Sequence, residues 1–189
     1  MTAYRPRAIV IGASAGALEA LTVILPSLPS DFRAPIIIVV HIPSDKRSVL
    51  AELFRAKCRI QVIDVEDKEP LKPATAYFAP PDYHLLVEDT ETLGLTYEEP
   101  VLFSRPSIDV LFESAADVYG SDVTAILLTG ANQDGAKGLV AVAEAGGQVI
   151  VQDPETAFAA AMPEAGLRLC PNAEILSLDG ICAYLRRIG

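Results

Sequence analysis

Ser14, His41 and Asp134 each stand just beyond an apolar run that reads as a strand, and together they supply a hydroxyl, an imidazole and a carboxylate. That set can perform acyl transfer: the hydroxyl attacks, the imidazole takes its proton, and the carboxylate fixes the imidazole tautomer and stabilises its cation. Ser14 lies in Gly12-Ala13-Ser14-Ala15-Gly16, a Gly-x-Ser-x-Gly turn between the strand-like Ala8-Ile9-Val10-Ile11 and a helical pattern that begins at Leu18. A buried strand that breaks into such a turn sets one hydroxyl at the carboxyl edge of a sheet, beside the unpaired N–H groups of a helix N-terminus. The pentapeptide by itself also suits close packing or phosphate binding. The order Ser, His, Asp differs from that of the α/β-hydrolases, but the same constellation arises on unrelated folds.

Each member has a plainer reading beside the catalytic one. His41 can be a satisfied histidine at a strand end. His84, the only other histidine, falls in Pro80-Pro81-Asp82-Tyr83-His84 and reads as structural or at the rim of the site. Asp134 precedes Gly135 and can cap the helix that follows. A nucleotide-binding domain is the rival from another class, with Gly12 and Gly16 cradling a phosphate. Such a domain wants an acidic residue at the end of its second strand, where this chain has His41, and the full G-x-G-x-x-G is missing.

The elements that must position these residues follow from periodicity. Pro35 to Val40 is a continuous β-branched run ending at His41, the pattern of a strand covered on both faces. A helix is expected from about Ser48 to Lys57, with Val49, Leu50, Leu53 and Phe54 on one face, and a third strand from Arg59 to Asp64. Tyr77-Phe78-Ala79 is bounded by Pro80-Pro81, and His84 to Val87 with Leu93 to Tyr97 read as an antiparallel hairpin. From Ser107, a plausible N-cap, a helix carries Ile108, Leu111, Phe112 and Ala115 inward, and Val123 to Leu128 is an apolar strand. A helix over Ala136 to Ala145, a strand Gln148 to Gln152, a short helix after Pro163, a strand around Glu174 to Leu178 and a helix Gly180 to Arg187 follow. This alternation predicts an α/β fold: a doubly wound, mostly parallel sheet with helices on both faces and one antiparallel hairpin. Ligands gather at the carboxyl ends of strands in such sheets, so three distant residues can share one site.

At 189 residues and 51% hydrophobic composition the chain can bury one sizeable core, and residues 1–189 read as a single domain. A net charge of -10, with no basic cluster longer than Arg186-Arg187, argues against nucleic acid or an anionic membrane as partner. Cys58, Cys170 and Cys182 lack CxxC spacing and read as reduced, packed cysteines of a cytoplasmic protein, with neither disulfide nor zinc expected. The basic, apolar start imitates a secretory leader, but Gly12, Gly16 and Glu19 suit a first strand and helix better. No run reaches the roughly 18 apolar residues of a membrane span.

The motifs together resemble the catalytic domain of the chemotaxis protein-glutamate methylesterases, the CheB type, along nearly the whole chain. They are Ile11-Gly12-Ala13-Ser14-x-Gly16, His41-x-Pro43, Tyr77-x-Ala79-Pro80 with His84, Arg105-Pro106-Ser107-x-Asp109-Val110-Leu111-Phe112, Leu128-Thr129-Gly130 with Asp134-Gly135-Ala136, and Met162-Pro163. The resemblance implies Ser14 as nucleophile, His41 as general base and Asp134 as its orienting acid, with no cofactor and no metal. It further implies hydrolysis of glutamate γ-methyl esters on the cytoplasmic domain of methylated chemoreceptors, with glutamine deamidation in some members. A catalytically weak relative acting as a binding module and a small-molecule serine esterase are the alternatives.

The chain departs from the family pattern at four positions. The family usually reads Ser-Thr-Gly-Gly where this chain has Ser14-Ala15-Gly16-Ala17, and the missing hydroxyl predicts a slow enzyme that Ala15→Thr would accelerate. The family's Leu-Thr-Gly-Met-Gly becomes Leu128-Thr129-Gly130-Ala131-Asn132. The Ala131 main-chain N–H still suits an oxyanion hole, because that role needs the amide and not the side chain. The chain starts directly at the first catalytic strand and reads as free-standing, without the receiver domain of the familiar enzymes, so a phosphodonor is expected to leave its rate unchanged.

Overall fold

Two β-branched runs, Ala8–Ala13 (β1) and Ile36–Val40 (β2), lie parallel and side by side with every residue buried. Strands covered on both faces need such side chains, and here both faces are covered. The computed structural model describes residues 4–41 and 49–189. Pro43 and Ser48, which the sequence reading placed in a motif and at a helix start, lie outside the described residues.

After β1 comes α1 (Ala17–Ile24), and after β2 a short α2 (Leu50–Arg55) leads to β3 (Gln61–Asp64). Next come β4 (Glu69–Pro70), β5 (Thr75–Phe78), β6 (His84–Val87) and β7 (Thr92–Thr96). The second half alternates α3 (Ile108–Tyr119), β8 (Val123–Leu127), α4 (Ala136–Glu144), β9 (Gln148–Gln152), α5 (Ala161–Leu169), β10 (Glu174–Leu176) and α6 (Leu178–Ile188). Seven strands form one parallel sheet in the order β10-β9-β8-β1-β2-β5-β3. The chain runs outward from β1 through β2 and then returns to place β8 on the other side of β1. A topological switch point therefore lies there, where open α/β sheets open a crevice at the carboxyl ends of the strands.

Alternate strand residues feed two cores. Ile9, Ile11, Ile36 and Ile38 pack under α1, α2 and α6, while Val10, Ile37 and Val39 pack under α3, α4 and α5 and against the small sheet. Close approach of α3 to β1 depends on Gly12, because any side chain there would collide with Ile108. The doubly wound architecture expected from the alternation is therefore present.

Several details differ from the periodicity. Residues 75–78 form a fully buried parallel strand inserted between β2 and β3, where the sequence offered only a short apolar stretch before two prolines. The hairpin of β6 and β7 gains β4 as a third, antiparallel strand, which Pro70 disguises. Helix α2 buries Ala51 and Phe54, whereas Val49 and Leu53 are exposed, so the expected face is rotated. Helix α5 starts before Pro163, whose missing N–H falls in the first turn, where no helical partner is needed.

Candidate active site

Strand pairing brings the three sequence-predicted residues to one edge. His41 donates its backbone N–H to the Ala13 carbonyl (3.1 Å), and Ser14 donates its own to the Thr129 carbonyl (2.9 Å). Ser14 is thereby held between the ends of β2 and β8. The turn that follows is made by Gly16, at φ +84, where a side chain would also press on Phe158 and Thr129. Thr129 braces this elbow a second time: its Oγ1 donates to the Ala15 carbonyl (2.8 Å) and accepts the Ala159 N–H (2.9 Å). Gln152 in turn holds the Thr129 N–H through Oε1 (3.0 Å).

His41 Nε2 lies 2.7 Å from Asp134 Oδ2, the imidazole being 12% exposed and the carboxylate not at all. Asp134 also accepts the Ser107 hydroxyl (2.8 Å) and the backbone N–H groups of Ile108 (2.7 Å), Asp109 (3.0 Å) and Gly135 (3.0 Å). Burial opposes its ionisation, but the hydrogen bonds from His41 and from the first amides of α3 outweigh that and hold the carboxyl below its ordinary range. The positive end of α3 adds to the same effect.

This corrects two expectations of capping. The Ser107 side chain makes no capping bond to α3 and turns instead to Asp134, which caps α3 across 26 residues of sequence. The aspartate thus anchors α3 rather than serving only the helix that follows it. No spacing rule exposes that bond, because capping patterns are local and this one is tertiary.

His84 is 1% exposed, with Nδ1 accepting the Ser107 N–H (3.1 Å) and Nε2 donating to the Glu99 carbonyl (3.1 Å). Both ring nitrogens are occupied, which bears out the structural reading of this residue. It buttresses Ser107, whose hydroxyl is donated to Asp134.

With Nε2 facing Asp134, the ring nitrogen left for a serine proton is Nδ1. Ser14 Oγ makes no hydrogen bond to it here; the Asn132 side chain meets it instead, Nδ2 lying 3.3 Å from Nδ1. Catalytic contacts of this kind often tighten only when substrate is bound. Ser14 lines an open depression of about 330 Å³ together with Leu18, Glu19, Val40, Leu50 and Phe158. Ala131 is exposed at the end of the β8 turn, and its N–H has no partner among the described residues. The preceding Gly130 is clamped through its N–H to Ala159 (3.0 Å) and through its carbonyl to Met162 (2.9 Å). Among the described residues no three His, Cys, Asp or Glu side chains group as a metal site.

Asp109, in the first turn of α3 and 3% exposed, carries a titration of its own. Burial first, and then the charges of Asp134 and Glu113, push its carboxyl up to about 6 against the help of the Gly138 N–H. A folded-state value above the unfolded one of about 3.9 favours the fold below pH 4, and that contribution is lost as pH rises through 6. The loss amounts to about 3 kcal/mol at neutral pH. Asp109→Asn keeps an acceptor for Gly138, so urea titrations are expected to show it more stable than the parent at pH 7 and level with it near pH 4. Equal stability of the two proteins across that range would refute the assignment.

A sequence profile of the CheB methylesterase family matches residues 9–185. The chain is 44% identical over 181 residues to the putative protein-glutamate methylesterase/protein-glutamine glutaminase of Leptospira interrogans, covering 96% of this chain and 94% of that protein. It is 36% identical over 182 residues to protein-glutamate methylesterase/protein-glutamine glutaminase 5 of Myxococcus xanthus, of which it spans 52%. The crystal structure of the Thermotoga maritima CheB methylesterase catalytic domain superposes with a TM-score of 0.92 at 32% identity, covering 97% of this chain and 99% of that one. The chain belongs to the CheB methylesterase family and is a methylesterase catalytic domain of it.

Proposed function

We propose that residues 1–189 act as one catalytic unit that hydrolyses glutamate γ-methyl esters on the cytoplasmic domain of methylated chemoreceptors through Ser14, His41 and Asp134. The observation that carries this reading is the 2.7 Å bond from His41 Nε2 to Asp134, which leaves Nδ1 as the base beside the Ser14 strand end. Ser14 Oγ attacks the ester carbonyl as its proton passes to His41 Nδ1. The oxyanion is received by main-chain N–H groups, with Ala131 as the named donor. His41 returns the proton to departing methanol, then takes one from the water that opens the acyl-enzyme, releasing glutamate and free Ser14.

Methanol needs no binding pocket, so recognition falls to the surface around Ser14. Phe158 and Leu18 stand exposed there, at 73% and 48%. The relatives' names also include glutaminase activity. The same acyl-enzyme accommodates it, with ammonia leaving in place of methanol.

The test is methanol release from methylated chemoreceptor, compared with turnover of simple methyl esters. Preference for the receptor by a large factor supports the reading, and equal turnover of both sinks its substrate half. His41→Ala is expected to lower receptor turnover by about a thousandfold or more. His84→Ala is expected to lose stability while its folded fraction keeps receptor turnover within about tenfold of the parent. Turnover lost in folded His84→Ala and kept in His41→Ala would reverse the assignment of the base.

A further inference from the structure

Among the described residues, Asn132 is the one side chain other than Asp134 that hydrogen-bonds the His41 ring. We infer that Asn132 is a positioning residue that selects the base-competent tautomer of His41; this rests on His41 being the base. Its Oδ1 accepts the Asp134 backbone N–H (3.1 Å), and its Nδ2 faces His41 Nδ1 at 3.3 Å.

The orientation of that amide is not arbitrary. A side-chain amide has a single acceptor, and the Asp134 N–H must point at it. The amino end is therefore the end presented to the imidazole. A ring nitrogen that receives an N–H keeps its lone pair, so the one ring proton of neutral His41 resides on Nε2, where it is donated to Asp134. Asn132 and Asp134 thus act on opposite nitrogens and demand the same tautomer. The contact at Nδ1 is long, and the Ser14 hydroxyl can displace it without any change of ring orientation. In the resting site Asn132 stands in for the hydroxyl that Nδ1 will accept.

A purely structural Asn132 would need only its oxygen. Accepting an N–H two residues ahead is an Asx turn, which aspartate makes as well as asparagine. Asn132→Asp therefore keeps the turn and reverses the end presented to His41. An oxygen facing Nδ1 draws a proton there, and an imidazole flanked by two carboxylates has no lone pair to offer Ser14.

Thermal melts, receptor kinetics and ring-nitrogen NMR on histidine-labelled protein at pH 8 decide the matter. The parent is expected to show a protonated Nε2 and a bare Nδ1, and Asn132→Asp to show protons on both. The Asn132→Asp melting temperature is expected to stay within about 2 °C of the parent, while kcat falls at least about 100-fold with KM unchanged. Asn132→Ala, which loses the turn and the contact together, is expected to fall by about three- to tenfold. Asn132→Asp turnover within about threefold of the parent, or a parent ring protonated on Nδ1, overturns the inference. If Ser14→Ala and His41→Ala both keep full activity, the catalytic reading fails instead. The ring spectra still report on Asn132 in that case, because they do not depend on turnover.

Discussion

Replacing Ser14 by alanine is expected to abolish ester hydrolysis, with turnover falling by about 10⁴-fold or more, and to leave the fold untouched. The two halves of that expectation have separate causes. On the proposed mechanism the substitution removes the hydroxyl that forms the acyl-enzyme. Among the described residues the hydrogen bonds of Ser14 are all in its backbone: its N–H meets the Thr129 carbonyl and its carbonyl meets the Ala17 N–H, and alanine keeps both. Circular dichroism and the melting temperature should therefore match the parent. Methanol release that persists within about tenfold of the parent would rule out the covalent route.

Asp134→Ala is expected to fail in the opposite way, losing activity and stability together. The substitution strands the hydroxyl of Ser107, the N–H groups of Ile108, Asp109 and Gly135, and the ring of His41. Each buried donor left unpaired costs about 1–3 kcal/mol, with partial relief where water enters, so a total of about 3–5 kcal/mol is expected from urea titration. Asn is no remedy, because its amino end must face one of these donors. The folded-state carboxyl lies below its unfolded value, so its contribution is present above about pH 4 and is lost as pH falls through the folded value. The stability gap between parent and Asp134→Asn should accordingly narrow in acid. A variant as stable as the parent at pH 7 would show that α3 does not depend on this carboxylate.

Continuous β-branched runs and 3.6-residue periodicity made the central strands and α3, α4 and α6 legible, because these elements are defined by which residues they bury. The proposed trio drew notice for a related reason: Ser14, His41 and Asp134 each interrupt the chain just where a strand runs out. What stayed hidden is contributed by tertiary contact. Thr75–Phe78 is too short and too close to Pro80-Pro81 to announce a central strand, and its place between β2 and β3 is set by the sheet. Ser107 looked like a helix cap because that is its local chemistry, and only the approach of Asp134 turns the hydroxyl away. Asn132 was legible merely as a departure from the family's glycine, since its partner His41 lies 91 residues away.

One carboxylate thus holds both the His41 ring and the start of a helix, and under the proposed mechanism this fixes the order in which such a site can decay. Ser14 can drift to alanine with both of its backbone bonds kept, so a lineage released from selection for turnover will shed it early. Asp134 remains under selection for as long as the domain must fold. Its persistence in a descendant is therefore no sign of an enzyme, and on the proposed mechanism the residue at position 14 is the one that tells a working esterase from a silent one.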